Sequence, residues 1–364
     1  MKDFSTCLNC SGCSLGFEIE TPPSYSSICD FLGRSVPLIV GDKTGWRMKA
    51  KLAIRGTSDA PQIGLFREGT HEVVDTTDCP ANHPSINEAV KTLREAIIYQ
   101  RTKPYNEAQR SGDLRYAQFF VCRESGQVQL VLVCREKESI EKLAQDLWNR
   151  SNRWHSIWIN VQPSSTNQIL GNEWHHCFGE AWLWQKMGRC KAAFHPGAFA
   201  QANLALFDRI LEKIEEWVPE NVRLLEIYAG VGAISLHLAA LWQSACLIEE
   251  NPYAYLSFQQ TVIKQRLNPI QYIQADAAKA GDHFEEADLI LVDPPRKGLE
   301  PVLLESLQKA KAKTLIYISC SFKSFQRDAR QLLSSGWVIQ DAALYWLFPG
   351  TDHVEIVTKW ISSQ

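Results

Sequence analysis

From Phe207 onward the apolar positions switch period repeatedly, and the switching predicts an α/β domain. Ile210, Ile214, Trp217 and Val218 recur at helical spacing. Short apolar runs then follow at Arg223 to Tyr228, Ala245 to Glu249, Gln271 to Ala275, Asp288 to Asp293 and Thr314 to Ser319, with helical stretches between most of them. Such alternation implies a doubly wound, mostly parallel sheet with right-handed crossovers. Trp337 to Tyr345 and His353 to Trp360 break the rhythm: two strand-like runs without a helix between them predict an antiparallel pair at the end of the sheet.

The upstream pattern is different. Ile86 to Arg101 reads as a helix, Ala117 to Cys122 and Val128 to Arg135 as paired strands around Ser125-Gly126, and Ser139 to Arg150 as a covering helix. The first 85 residues are rich in Gly, Pro, Ser and Cys, with short strand-like runs at Val36 to Val40 and Lys49 to Arg55. Three segments are expected: 1–85, cysteine-bearing with short strands; 86–200, a central α+β domain; and 201–364, a Rossmann-like domain.

Composition narrows the class. The chain has 364 residues, 45% of them hydrophobic and 22% charged, as in an ordinary globular protein. No apolar run is long enough to span a bilayer and the polar start resembles no signal peptide, so a cytoplasmic protein without a membrane partner is expected. Eleven cysteines, an odd count, argue against a disulfide framework and for metal or catalytic use. A net charge of −3 exerts no global pull on nucleic acid. One local patch exists, where Arg47, Lys49, Lys51 and Arg55 alternate with Met48, Ala50 and Leu52 and would set a row of cations along one sheet face, either for a polyanion or simply for solvent.

Candidate chemistry gathers at predicted strand ends, which line the ligand crevice in open α/β sheets. The first strand runs into Glu226-Ile-Tyr228-Ala-Gly230-Val-Gly232 and then an apolar helix. Ser235 replaces the third glycine of a dinucleotide fingerprint, which disfavours nicotinamide and flavin. Glu249 and Asp276 end the next two strands, and acids around a glycine turn suit the cationic sulfonium of S-adenosylmethionine. The fourth strand delivers Asp293-Pro294-Pro295-Arg296, a stiff loop. The fifth ends at Cys320, a candidate nucleophile, although a lone cysteine is more often core. Cys7, Cys10 and Cys13, each three residues from the next, have ligand spacing for zinc or an iron–sulfur cluster, with Cys79 as a fourth ligand.

Together these residues resemble a known family, the bacterial RNA uracil-5-methyltransferases, and within it the RlmC branch that modifies uracil 747 of 23S ribosomal RNA. The matching pieces are the amino-terminal cysteines with Asp78-Cys79-Pro80, Pro104-Tyr105-Asn106, Gly112-Asp113-Leu114-Arg115-Tyr116, Phe199-Ala-Gln201-Ala-Asn203, the glycine turn, Asp293-Pro-Pro-Arg, Ser319-Cys320 and His353-Val-Glu355. No small β-barrel module precedes the cysteines, which favours this branch. The resemblance implies Cys320 as the thiolate adding to uracil C6, and Glu355 as the base removing the C5 proton. It implies S-adenosylmethionine held by Gln201, Tyr228, Glu249 and Asp293, to which the glycine turn and strand ends add Gly230, Gly232 and Asp276. It also implies a [4Fe-4S] cluster on Cys7, Cys10, Cys13 and Cys79, with Cys29 in reserve for Cys7, and a monomer acting on 23S ribosomal RNA or a precursor. Other readings are 5-methyluridine formation in tRNA, methylation of a small molecule, and a non-catalytic iron–sulfur RNA-binding assembly factor. The chain departs from the family at Ser321 (often Asn), Ala229 (often Cys) and Glu226 (often Asp).

Overall fold

The computed structural model describes residues 10–16, 18–164, 168–265 and 270–362. They divide into two compact units, one built on Asp42–Gln185 with the Cys10 segment and Ala200–Leu204, the other from Glu18–Gly41, Lys186–Phe199 and Ala205–Gln364. Helix α1 (Ser24–Leu32) and strand β1 (Leu38–Val40) come early in the chain yet belong to the second unit.

The first unit is a seven-stranded sheet made by β2 (Lys49–Gly56), β3 (Pro61–Phe66), β4 (Val73–Asp75), β5 (Leu114–Val121), β6 (Val128–Cys134), β7 (Trp154–Val161) and β8 (Glu173–Gly179), ordered β4-β3-β2-β5-β6-β7-β8. Neighbours are antiparallel except β6 and β7, which the crossover helix α3 (Glu141–Arg150) joins in parallel. Ile86, Val90, Leu93 and Ile97 on one face of α2 (Pro84–Gln100) join Leu143 and Leu147 of α3 in a core against one face of the sheet. The expected boundary at residue 85 falls inside this unit, because β2 pairs with β5 from Lys49↔Phe120 to Ala53↔Tyr116. Composition changes at 85; the hydrogen-bond ladder does not.

The division falls within β9 (Leu183–Met187), and the second unit continues with β10 (Cys190–Phe194), α4 (Leu204–Trp217), β11 (Val222–Ile227), α5 (Ala233–His237), β12 (Trp242–Glu249), α6 (Pro252–Gln265) and β13 (Gln271–Gln274). A 3-10 stretch (Ala277–Glu286) leads to β14 (Leu289–Val292), α7 (Pro301–Gln308), β15 (Thr314–Ser319), α8 (Phe322–Ser334), β16 (Trp337–Trp346) and β17 (Glu355–Ser362). The sheet order is β1-β16-β17-β15-β14-β11-β12-β13, and β17 alone runs against the rest. This is the mostly parallel α/β sheet that the alternating pattern predicts. The closing pair is antiparallel as expected, but it is not the edge: β1 pairs with β16 from Leu38↔Leu344 to Val40↔Trp346. The Val36 to Val40 run therefore serves this sheet and not the amino-terminal segment. All four residues of β14 are buried, and Tyr317, Phe325 and Trp360 fill the core beside it.

Candidate active site

Parallel strands bring their carboxyl ends to one rim. Here β11, β12, β14 and β15 end at Ile227, Glu249, Val292 and Ser319, and β17, running the other way, begins there with Glu355. After β11 the chain turns sharply, with positive φ at Tyr228 (62°), Gly230 (53°) and Gly232 (76°). A tyrosine in the left-handed region is an outlier that a surrounding structure must enforce. The enforcement is visible: Glu249 accepts the N–H groups of Gly230 (3.0 Å) and Asn251 (2.9 Å), and the Tyr272 hydroxyl donates to the Gly230 carbonyl (2.6 Å).

The two glycines do different work. A Cβ on Gly232 would lie 2.8 Å from Leu247 Cδ2 and 3.0 Å from Phe258 Cδ2, whereas one on Gly230 would meet nothing within 4 Å. Gly232 lets the turn pack closely; Gly230 faces open space. Burial raises the Tyr228 hydroxyl pKa, and a backbone hydrogen bond from Glu300 opposes the rise. Asp276 accepts the Ala278 N–H (2.8 Å) and caps the 3-10 stretch. Beneath the turn, buried Glu226 accepts from the Ser235 N–H (3.0 Å) and from the Ser235 hydroxyl. Burial outweighs those bonds and pushes its pKa up to about 8.

Cys320 follows β15 directly. Ser319, the last residue of β15, pairs with Ile356 across the antiparallel β15–β17 ladder, so Cys320 and Glu355 stand at the adjoining ends of neighbouring strands. On the other side β14 hands over to Asp293. Burial, then the negative charges of Glu355 and Asp293, push the Cys320 thiol up to about 11, with Arg296 opposing. Glu355, 4% exposed, is raised well above the usual carboxylate range by burial and then by Asp293. Asp293 is itself pushed up, by burial first and by Glu249 second. A thiol and two carboxyl groups whose pKa values burial has raised thus share one rim.

Comparison with known proteins gives the chain its family. The profile of the family described as tRNA (Uracil-5-)-methyltransferase matches residues 26–360. The chain belongs to that family. An uncharacterized RNA methyltransferase of Protochlamydia amoebophila is 38% identical, over 96% of this chain and 95% of that protein. Another from Halalkalibacterium halodurans is 27% identical over 87% of this chain and 70% of its own length. Among solved structures, the tRNA (uracil-54, C5)-methyltransferase of Pyrococcus abyssi in complex with S-adenosyl-L-homocysteine superposes with a TM-score of 0.83 at 25% identity, covering 97% of this chain and 86% of that one.

In this methyltransferase the departures from the family pattern keep a structural role. Ser321 is the N-cap of α8, its hydroxyl accepting the Ser324 N–H at 3.4 Å, and serine and asparagine cap comparably well. One supporting residue went unread in the sequence. Asp328, fully buried, accepts the Leu299 N–H (2.9 Å), the Tyr317 hydroxyl (2.7 Å) and the Arg327 guanidinium (2.7 Å), and so anchors the end of the Asp293-Pro-Pro-Arg loop. A charged residue in register with Phe325, Ala329 and Leu332 on the apolar face of α8 was the available signal.

The remaining expected site residues lie in the first unit. Gln201 sits in the Ala200–Leu204 segment. Cys10, Cys13 and Cys79 line one cavity of about 200 Å³ with Arg47 and Arg94. Burial, and the nearby Cys79, raise the Cys10 thiol, while the Gly12 N–H donates to its sulfur at 3.4 Å. Cys7 is outside the described residues, and among those described no three His, Cys, Asp or Glu side chains are arranged to hold a metal ion. Cys29, the reserve ligand, packs against the core of the second unit from α1. Among the described residues no helix is long and apolar enough to cross a membrane.

Proposed function

We propose that this enzyme methylates C5 of a uridine in RNA through a covalent bond between Cys320 and uracil C6. The observation that carries the reading is that Glu355 and Asp293 both act electrostatically on the Cys320 thiol, which follows the Ser319–Ile356 pair at the end of β15. S-adenosyl-L-methionine, when bound, supplies an electrophilic methyl group on a cationic sulfonium. The glycine turn fits it: Gly230 leaves room, Tyr228 lies in the same turn, and Glu249 and, when ionised, Asp293 supply negative charge. Gly232 packs the turn, Asp276 follows β13, and the motif resemblance of the sequence assigns Gln201 to the same set.

Uracil C5 is a weak nucleophile. Cys320 releases its proton to solvent, the thiolate bonds to C6, and the C5–C6 electron pair moves to form an enolate whose C5 can attack the methyl group. C5 then carries a methyl group and its original hydrogen. Glu355 takes that proton, the double bond re-forms, and the thiolate leaves C6. The raised pKa of Glu355 makes it the stronger base for this step. Asp293, drawn toward neutrality, hydrogen-bonds the uracil edge. The base must be rotated out of its stack to reach the rim.

The target proposed is 23S ribosomal RNA at position 747, on the motif resemblance of the sequence. A tRNA uridine is the second reading, favoured by the likeness to the Pyrococcus abyssi tRNA enzyme. We further propose that Cys7, Cys10, Cys13 and Cys79 hold a [4Fe-4S] cluster. Soft thiolates suit it and three of the four line one cavity; its role is to pin the amino-terminal segment, and no step of methyl transfer passes through it. Iron and acid-labile sulfide in anaerobically purified protein support the cluster; stoichiometric zinc overturns it.

Incubation with labelled S-adenosylmethionine and either 23S or tRNA transcripts tests the reaction, with the labelled nucleotide mapped by mass spectrometry. Transfer to uridine C5 in one RNA, none with Cys320→Ala, and an RNA adduct that survives denaturation with Glu355→Gln are expected. Retained transfer by Cys320→Ala overturns the mechanism.

A further inference from the structure

The first unit contains a second cavity, of about 520 Å³, whose lining has the chemistry of a nucleotide site. Alternation along β2 sends Ala50, Leu52 and Ile54 into the core under α2 and α3, so Lys51 and Ala53 face the opposite side and line the cavity. Phe66 of β3 and Arg115 and Tyr116 of β5 join them, with Tyr105 and Arg110 from the segment leading into β5.

Cations and rings are interleaved there. The Arg115 guanidinium lies 4.8 Å from the Tyr105 ring centre, and Arg55 lies 5.1 Å from Phe66 and 5.2 Å from Tyr116. Both arginines are more than nine-tenths buried. Arg115 donates to the carbonyls of Gln162 (2.7 Å) and Ser164 (2.6 Å), and Arg55 to those of Ile54 (2.8 Å) and Arg115 (2.9 Å), yet the Nε of each is buried without a partner. Glu107 is the one acid among the described lining residues, and Arg55 and His71 already engage it. Lys51 is partly desolvated with no carboxylate to compensate. The cavity is therefore rigid, aromatic and short of negative charge. A planar base stacks on rings and guanidinium planes, and a phosphate supplies the missing anion.

We infer that this cavity binds a second unpaired nucleotide of the RNA, its base among Phe66, Tyr105 and Tyr116 and its phosphate at Lys51 and Arg110. The inference rests on RNA being the substrate. It gives the enzyme a way to select RNAs with two unpaired nucleotides, since a base held in a stacked helix cannot enter a pocket of this kind.

The test uses the full-length protein and a fluorescein-labelled, unstructured 12-nucleotide RNA followed by anisotropy. Lys51→Ala and Arg110→Ala are each expected to weaken binding about three- to tenfold and to lower the salt slope by about one. Phe66→Leu is expected to weaken it about fivefold or more, and Phe66→Tyr to leave it unchanged. S-adenosylhomocysteine affinity should stay at the wild-type value in every variant, which controls for folding. Irradiating the same RNA with 5-iodouridine in place of uridine should crosslink Phe66, Tyr105 or Tyr116. Wild-type RNA affinity in all variants, crosslinks only elsewhere, or occupation of the cavity by an acidic peptide with RNA binding intact overturns the inference. Failure of the wild-type protein to methylate any RNA would instead overturn the proposed reaction.

Discussion

Cys320 and Glu355 adjoin the Ser319–Ile356 pair of β15 and β17, one at the end of its strand and one at the start, and the negative charge of Glu355 is the second cause, after burial, of the raised Cys320 thiol pKa. The resting site therefore holds a thiol, not a thiolate, at neutral pH. Alkylation of Cys320 by iodoacetamide, followed by mass spectrometry of its peptide, should be slow at pH 7 and accelerate up to about pH 11. Glu355→Gln removes one of the charges that hold the proton on, so its alkylation profile should move to lower pH. An unmoved profile would show that burial alone sets the thiol.

The glycine turn separates packing from ligand room. Gly232→Ala forces a Cβ to within 2.8 Å of Leu247 at a positive φ, and overpacking with strain should cost about 2–4 kcal/mol in denaturant unfolding. Gly230→Ala meets no neighbour and should cost only about 1–2 kcal/mol of backbone strain. Its larger effect should be on S-adenosylhomocysteine affinity measured by calorimetry. Equal stability losses with unchanged affinity would place Gly230 outside the binding surface.

Glu226 makes stability depend on pH. Its folded pKa of about 8 lies above the ordinary 4.5, so the folded protein holds the proton more tightly and the stability from that proton is complete below pH 4.5. It is lost as pH rises through 8. Glu226→Gln keeps an oxygen for the Ser235 N–H and cannot ionise. The variant should lose less thermal stability than the wild type between pH 5 and 9, by an amount on the order of a few kcal/mol. Parallel curves would mean the carboxyl does not titrate in that window.

Asp328 holds the loop that presents Asp293 and Arg296. Asp328→Ala leaves the Leu299 N–H and the Tyr317 hydroxyl buried without an acceptor, a loss of about 1–3 kcal/mol for each. Asp328→Asn keeps one acceptor oxygen and should recover part of the stability. Methyl transfer by the asparagine variant should fall in kcat more than its RNA affinity changes, because the loop is loosened and no contact surface is lost.

The strand ends were legible in the sequence because each parallel strand is a short apolar run followed at once by a polar residue. Cys320, Glu249 and Asp293 stand out for that reason. Pairings between distant segments were not legible. The three-residue β1 carries no signal that its partner is β16, and the β2–β5 ladder crosses the composition change that suggested a boundary. The alternating cations of β2 predicted an outward row, yet Arg55 is buried because Phe66, Tyr116 and Glu107 come from other parts of the chain to enclose it. Tyr272, which clamps the Gly230 carbonyl, looks in sequence like any apolar strand residue.

The lone antiparallel strand also decides which changes of length the site can survive. Residues 347–354 join β16 to β17 as a loop, and an added residue there can be taken up locally. One residue added near the start of β17 cannot, because successive side chains alternate between faces. The carboxyl group would then be delivered to the far side of the sheet from the thiol, chemically intact and useless. Two added residues would restore the face but displace the base by about 7 Å along the strand. Insertions near Glu355 should thus be read by parity as well as by number, and none within the strand preserves the pair.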